Sequence, residues 1–144
     1  MRLKDTIGIT HILSKTELKA RKHLDNALIK FGLTAPQYSV LAVLEEGNTA
    51  TNAELARLCF VTPQTMSRIV QNLERDNFLK KNTEKQDALK LYYSLTKKAE
   101  KIVCSAHEEI NKIENKMTAG MSKSDIDKLL KLINLCCENL KDKD

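Results

Sequence analysis

A mainly α-helical fold with one small β-hairpin is what this sequence predicts, and three observations carry the expectation. Aromatic residues make up only 4% of the chain and Trp is absent, a balance that suits helices and leaves little for a large sheet. Helix-capping residues recur at Thr34, Thr51, Thr62 and Thr96, each just ahead of an apolar-periodic segment. Between the last two of these, Leu91-Tyr92-Tyr93-Ser94-Leu95 is strand-favouring and lies across a polar stretch from Phe78 to Lys81. With 144 residues, 42% of them hydrophobic, the chain is sized for a single domain, residues 1–144.

The elements follow in order. Ile9, Ile12, Leu13, Leu24, Ala27, Leu28 and Phe31 are spaced for a long first helix over about 7–31, stopped by Gly32. Thr34-Ala35-Pro36-Gln37 combines a capping hydroxyl, a first-turn proline and a capping-box Gln, so a second helix runs to about Glu46. Gly47-Asn48 breaks it. Thr51-Asn52-Ala53-Glu54 opens a short third helix ending near Phe60, and Thr62-Pro63 begins a fourth after so few residues that the two must turn sharply on each other. The hairpin comes next, with Asn77 as a left-handed stop between the fourth helix and its first strand. Thr96 then caps a long helix bearing Ile102, Val103, Ala106 and Ile110, and after Gly120 a last helix runs from Ser124.

Charge is unevenly spread. The net charge is +5, and residues 62–101 hold 9 Lys and Arg against 5 acids while residues 33–61 hold 1 against 3. A basic centre suits a polyanionic partner. The longest apolar run, Val40 to Leu44, is far too short to span a bilayer, and no signal-peptide core opens the chain, so no membrane role and a cytoplasmic location are expected. Cys59, Cys104, Cys136 and Cys137 lack framework spacing and read as small packing residues. Four glycines form no phosphate loop, and no nucleophilic set sits in a motif; no catalytic residue and no cofactor is assigned. Cys104 and His107 lie one helical turn apart, but without a second ligand pair the structural reading wins and no metal site is assigned.

The third and fourth helices form a helix-turn-helix whose second member has two unlike faces. Thr62, Pro63, Gln64, Thr65, Ser67 and Arg68 supply the N-terminal polar surface, and Met66, Ile69, Val70 and Leu73 the inward stripe. Free N–H groups at the helix start suit a phosphate, and Arg68 and Gln64 have the donor geometry for guanine and adenine edges. The hairpin adds Lys80, Lys81, Lys85 and Lys90 around its turn, with Asp87 between them, as in a wing lying on a phosphate backbone. Double-stranded DNA is the implied partner. The rival is a helix-turn-helix used for protein contact, or an anti-activator with weak DNA affinity.

The run Leu33-Thr34-Ala35-Pro36-Gln37-Tyr38, Glu54-Leu55-Ala56, Val61-Thr62-Pro63-Gln64-Thr65-Met66-Ser67-Arg68-Ile69-Val70, Leu73-Glu74-Arg75, and Asp87 ahead of Leu95-Thr96 resembles the multiple-antibiotic-resistance regulator (MarR) family over nearly the whole chain. The resemblance implies a winged helix-turn-helix over 33–96 flanked by dimerisation helices over 1–32 and 97–144. It further implies a homodimer on a pseudo-palindromic operator, usually a repressor, relieved by a small aromatic or phenolic ligand or by oxidation. Two positions depart from the pattern. Leu89 stands where the family has a wing-tip arginine, which moves the expected wing contacts from bases to phosphate, and Asn77 stands where Gly is common.

Overall fold

The computed structural model describes residues 8–82 and 90–141; the expectations for Lys85, Asp87 and Leu89 lie outside them. The chain divides into two compact units, residues 1–110 and 111–144. The first contains α1 (Ile9–Leu28), α2 (Ala35–Val43), β1 (Ala50–Thr51), α3 (Asn52–Leu58), α4 (Pro63–Arg75), β2 (Leu79–Asn82), β3 (Tyr92–Leu95) and most of α5 (Lys97–Met117).

Helix α1 tightens into a single 3-10 turn, Ile29–Phe31, before Gly32 at φ +70° ends it, so the expected stop is used. The capping box of α2 is complete: Gln37 N–H donates to Thr34 Oγ1 (3.3 Å) and Thr34 N–H to Gln37 Oε1 (3.0 Å). This helix ends at Val43, earlier than Glu46, because Glu46 (φ +58°) and Gly47 (φ +77°) are both left-handed and no α-helix continues through them.

The hairpin is present but has a third member. Strand β1 pairs antiparallel with β3 (Ala50 with Tyr93, Thr51 with Tyr92), giving the order β1-β3-β2. Thr51 ends that strand and caps α3, accepting from Glu54 N–H (3.2 Å), while its own N–H donates to the Glu54 carboxylate (2.8 Å). Removing this hydroxyl by Thr51→Ala is expected to cost about 1 kcal/mol, read as a shift in denaturation midpoint. Glu54's carboxyl is held below the usual range, first by the Thr51 N–H and then by its hydroxyl and the charges of Lys90 and Arg57, against desolvation. A depressed folded-state value means the contribution is present above the unfolded carboxylate value and is lost as pH falls through the folded one. The stability gap between wild type and Glu54→Gln should therefore close on acidification.

After α4, Asn77 adopts φ +61° as expected, Asn77 N–H bonds Glu74 O (3.1 Å) and Phe78 N–H bonds Leu73 O (2.8 Å). Thr96 ties the start of α5 to this turn, donating to Asn77 O (2.6 Å) and accepting from Ala99 N–H (3.2 Å). The core of this unit joins Leu28, Leu41, Leu44, Leu55, Met66, Leu73 and Val103, drawn from five helices and all fully buried.

The second unit holds the end of α5 and α6 (Lys123–Asn139). Helix α6 starts one residue earlier than Ser124, because Ser122 and Asp125 form a capping box. No residue of α6 is buried. The packing role expected of the cysteines holds for half-buried Cys59, whose thiol burial pushes up; Cys104, Cys136 and Cys137 are exposed on their helices, so the expectation fails for these three.

Candidate nucleic-acid interface

The site is built on α4, and its inner face explains why it is firmly held. Met66 (0% exposed), Val70 (2%) and Leu73 (0%) lie in the core, and Ile69 packs against it. The turn from α3 is closed by Val61 N–H to Ala56 O (3.0 Å), with Phe60 at φ +57°. A second clamp went unforeseen: Asn52 Nδ2 donates to Pro63 O (3.1 Å), joining the first turns of α3 and α4. Nothing in the residue types marks a contact across eleven positions, so only the folded turn reveals it.

The outer face separates into residues that build the helix and residues that face outward unengaged. Thr62 caps it, accepting from Thr65 N–H (3.2 Å) and donating to Thr65 Oγ1 (3.0 Å); Ser67 Oγ donates back to Pro63 O (3.0 Å). Those hydroxyls are partly committed to the first turn. Gln64 and Arg68, exposed and four residues apart on one face, make no hydrogen bond or ion pair with any described residue. No acidic side chain occupies the first turn of this helix, so nothing local offsets its positive N-terminal end.

The wing lysines do not act as one group. In the β2–β3 ladder Lys80 lies opposite Ser94 and Lys81 opposite Tyr93, and successive strand residues point to opposite faces. Lys90 is exposed, and its charge also acts on Glu54 at the start of α3. Of the expected wing residues, Lys81 and Lys90 are therefore placed, while Lys85 and Asp87 fall outside the described residues.

His107 belongs to a different cluster. Its Nδ1 is 2.5 Å from Tyr38 Oη and its Nε2 2.6 Å from Glu45 Oε1, linking α2 to α5. In the neutral ring that satisfies both contacts, the tyrosine hydroxyl donates to Nδ1 and Nε2–H donates to the carboxylate. Among the described residues no group of three His, Cys, Asp or Glu could hold a metal ion.

A helix-turn-helix with an adjoining three-stranded wing defines the winged helix-turn-helix fold. Residues 31–88, less than half of the chain, match the MarR family. The helix-turn-helix transcriptional regulator YwaE of Bacillus subtilis is 22% identical over 137 residues, 94% of this chain and 80% of the relative. A helix-turn-helix transcriptional repressor of Mycobacterium tuberculosis is 34% identical over 74 residues, 51% of this chain and 53% of the relative, so that alignment spans about half of its length. Among solved structures, S. aureus MepR in its DNA-binding conformation matches with TM-score 0.83 at 18% identity, covering 94% of this chain and 100% of that one. A MarR variant from E. coli complexed with operator DNA matches with TM-score 0.80 at 17% identity, covering 94% and 98%. Among the described residues no helix is long and apolar enough to cross a membrane.

Proposed function

We propose that the protein binds double-stranded DNA sequence-specifically, as a homodimer on a pseudo-palindromic operator, and represses transcription in the cytoplasm until a small molecule relieves it. The observation that carries the DNA reading is the pair Gln64 and Arg68, exposed and unengaged on a helix whose opposite face is locked into the core. A rigid, capped helix presents these long polar side chains to base edges without further ordering of its backbone. The mycobacterial relative is a repressor and the E. coli neighbour was solved on operator DNA, which supports the same role here.

The dimer reading rests on apolar rows left uncovered in one chain. Ile9 and Leu18 of α1 are 70% and 69% exposed, and Leu130 and Leu135 of α6 57% and 54%. Rows of this kind are covered in oligomers. Sedimentation should report twice the monomer mass of 16.3 kDa.

Retention of genomic fragments on purified protein tests the function. Fragments should be held at low salt and released steeply, with log affinity falling by about 0.9 per log unit of salt for each phosphate neutralised. Retention of none at low salt would defeat the DNA reading and leave the helix-turn-helix as a protein-contact module.

A further inference from the structure

Of the three phenylalanines in the chain, Phe78 is buried and Phe31 packs against the core. Phe60 is 86% exposed, more than any other large apolar side chain among the described residues. It stands in the turn between α3 and α4 at φ +57°, a left-handed conformation that is costly for any residue with a Cβ and most of all for a bulky one. Both neighbours are anchored. Cys59 and Val61 pack against the core, Cys59 N–H bonds Leu55 O (2.9 Å) and Val61 N–H bonds Ala56 O (3.0 Å). A glycine would serve this turn without the backbone cost and without an apolar ring in water. An aromatic side chain kept in a strained and solvated position points to a partner outside the chain.

The surroundings indicate which partner. Phe60 lies two residues ahead of Thr62, the cap of α4, and four ahead of Gln64. Four residues of chain reach at most about 14 Å, or about four base-pair steps of 3.4 Å, so a duplex seated on the N-terminal end of α4 runs within reach of the ring. The bond from Asn52 Nδ2 to Pro63 O (3.1 Å) holds the two helices at this corner. No Asp or Glu occurs between Glu54 and Glu74, a stretch that carries Arg57 and Arg68, so the chain on either side of the ring has no charge that repels phosphate. As a protein-docking patch, Phe60 with half-exposed Leu58 is small against the roughly 800 Å² per partner of a stable interface. In the major groove an aromatic ring has one direct handle on sequence, the C5 methyl of thymine.

We propose that Phe60 is a specificity-determining residue whose ring packs on a thymine methyl at the edge of the groove that α4 enters. Each half-site then carries a thymine preference beside the bases that face Gln64 and Arg68. The assignment rests on the DNA reading above and adds a contact of another kind, apolar burial in place of hydrogen bonding. The free protein carries a strained, solvated ring, and the bound one uses it for selectivity.

Genomic fragments retained by the wild-type protein supply the probe, copied once with thymine and once with uracil, which pairs identically but lacks the methyl. Wild type should hold the thymine copy about fourfold more tightly per half-site, the fold-change that one buried methyl carries. Phe60→Ala should remove that difference. Phe60→Gly should remove it as well while raising the thermal midpoint of the free protein, because it relieves the left-handed backbone. An equal loss on uracil in wild type and Phe60→Ala would assign the methyl contact to another residue and overturn the proposal. Unchanged affinity in Phe60→Ala would overturn it too and leave the ring to a protein partner, and a lowered midpoint in Phe60→Gly would make the ring part of the fold. In these three outcomes the wild type still retains fragments and the DNA reading stands; retention of none would defeat both.

Discussion

Arg68→Ala is expected to weaken binding to specific sites by about 1–3 kcal/mol per half-site, roughly 5- to 150-fold, while leaving affinity for random DNA nearly unchanged. The guanidinium is exposed, has no described partner to lose and lies on the outer face of α4, so truncation should not disturb the fold. Lys81→Ala, at the exposed wing strand, should instead weaken all sequences alike and lower the salt slope by about 1. Competition titrations with specific and random duplexes at two salt concentrations distinguish the two roles. Equal sequence discrimination in both variants would remove the division between reading helix and phosphate-binding wing.

Leu73→Ala should lower stability by about 2–5 kcal/mol, the range for truncating a fully buried leucine, out of a total of about 5–15 kcal/mol for a domain of this kind. Leu73 is 0% exposed, packs in the core that joins the helices of the first unit, and its carbonyl receives the Phe78 N–H that starts the wing. The cavity would sit where α4 is seated, so α4 loses its anchor as the protein loses stability. Urea denaturation should show a lower midpoint at an unchanged slope, and Leu73→Met should recover most of the loss because it keeps the volume. A loss below about 1 kcal/mol would mean that α4 is not held by this contact, contrary to the usual cost of a buried cavity.

Much of α4 is legible in the sequence because its determinants are local. Thr62 and Pro63 open α4, Asn77 stops it, and the spacing of Met66, Val70 and Leu73 orients it. Each signal lies within a turn or two of what it specifies, and residue type reports it directly. The end of α2 was less legible: Glu46 in a left-handed conformation is not marked by its side chain, and the expected boundary fell too late. Strand β1 is not legible in the sequence for a related reason, since two residues cannot show an alternation. Lys80 and Lys81 are neighbours in sequence and read as one basic patch, whereas the ladder sets them on opposite faces.

By itself, then, the sequence determined the helices, their caps, the two faces of α4 and the place of the hairpin, because capping bonds and amphipathic spacing act over three to five residues. Only the tertiary structure decided which polar groups meet. Asn52 reaches Pro63, Tyr38 and Glu45 meet on His107, and β1 pairs with β3 across more than forty positions. It also decided that Ser94, an ordinary strand residue by type, is buried opposite Lys80, its hydroxyl without a hydrogen-bond partner among the described residues. Such contacts depend on how distant segments are brought together in packing, and a side chain's chemistry does not encode the identity of its distant neighbour.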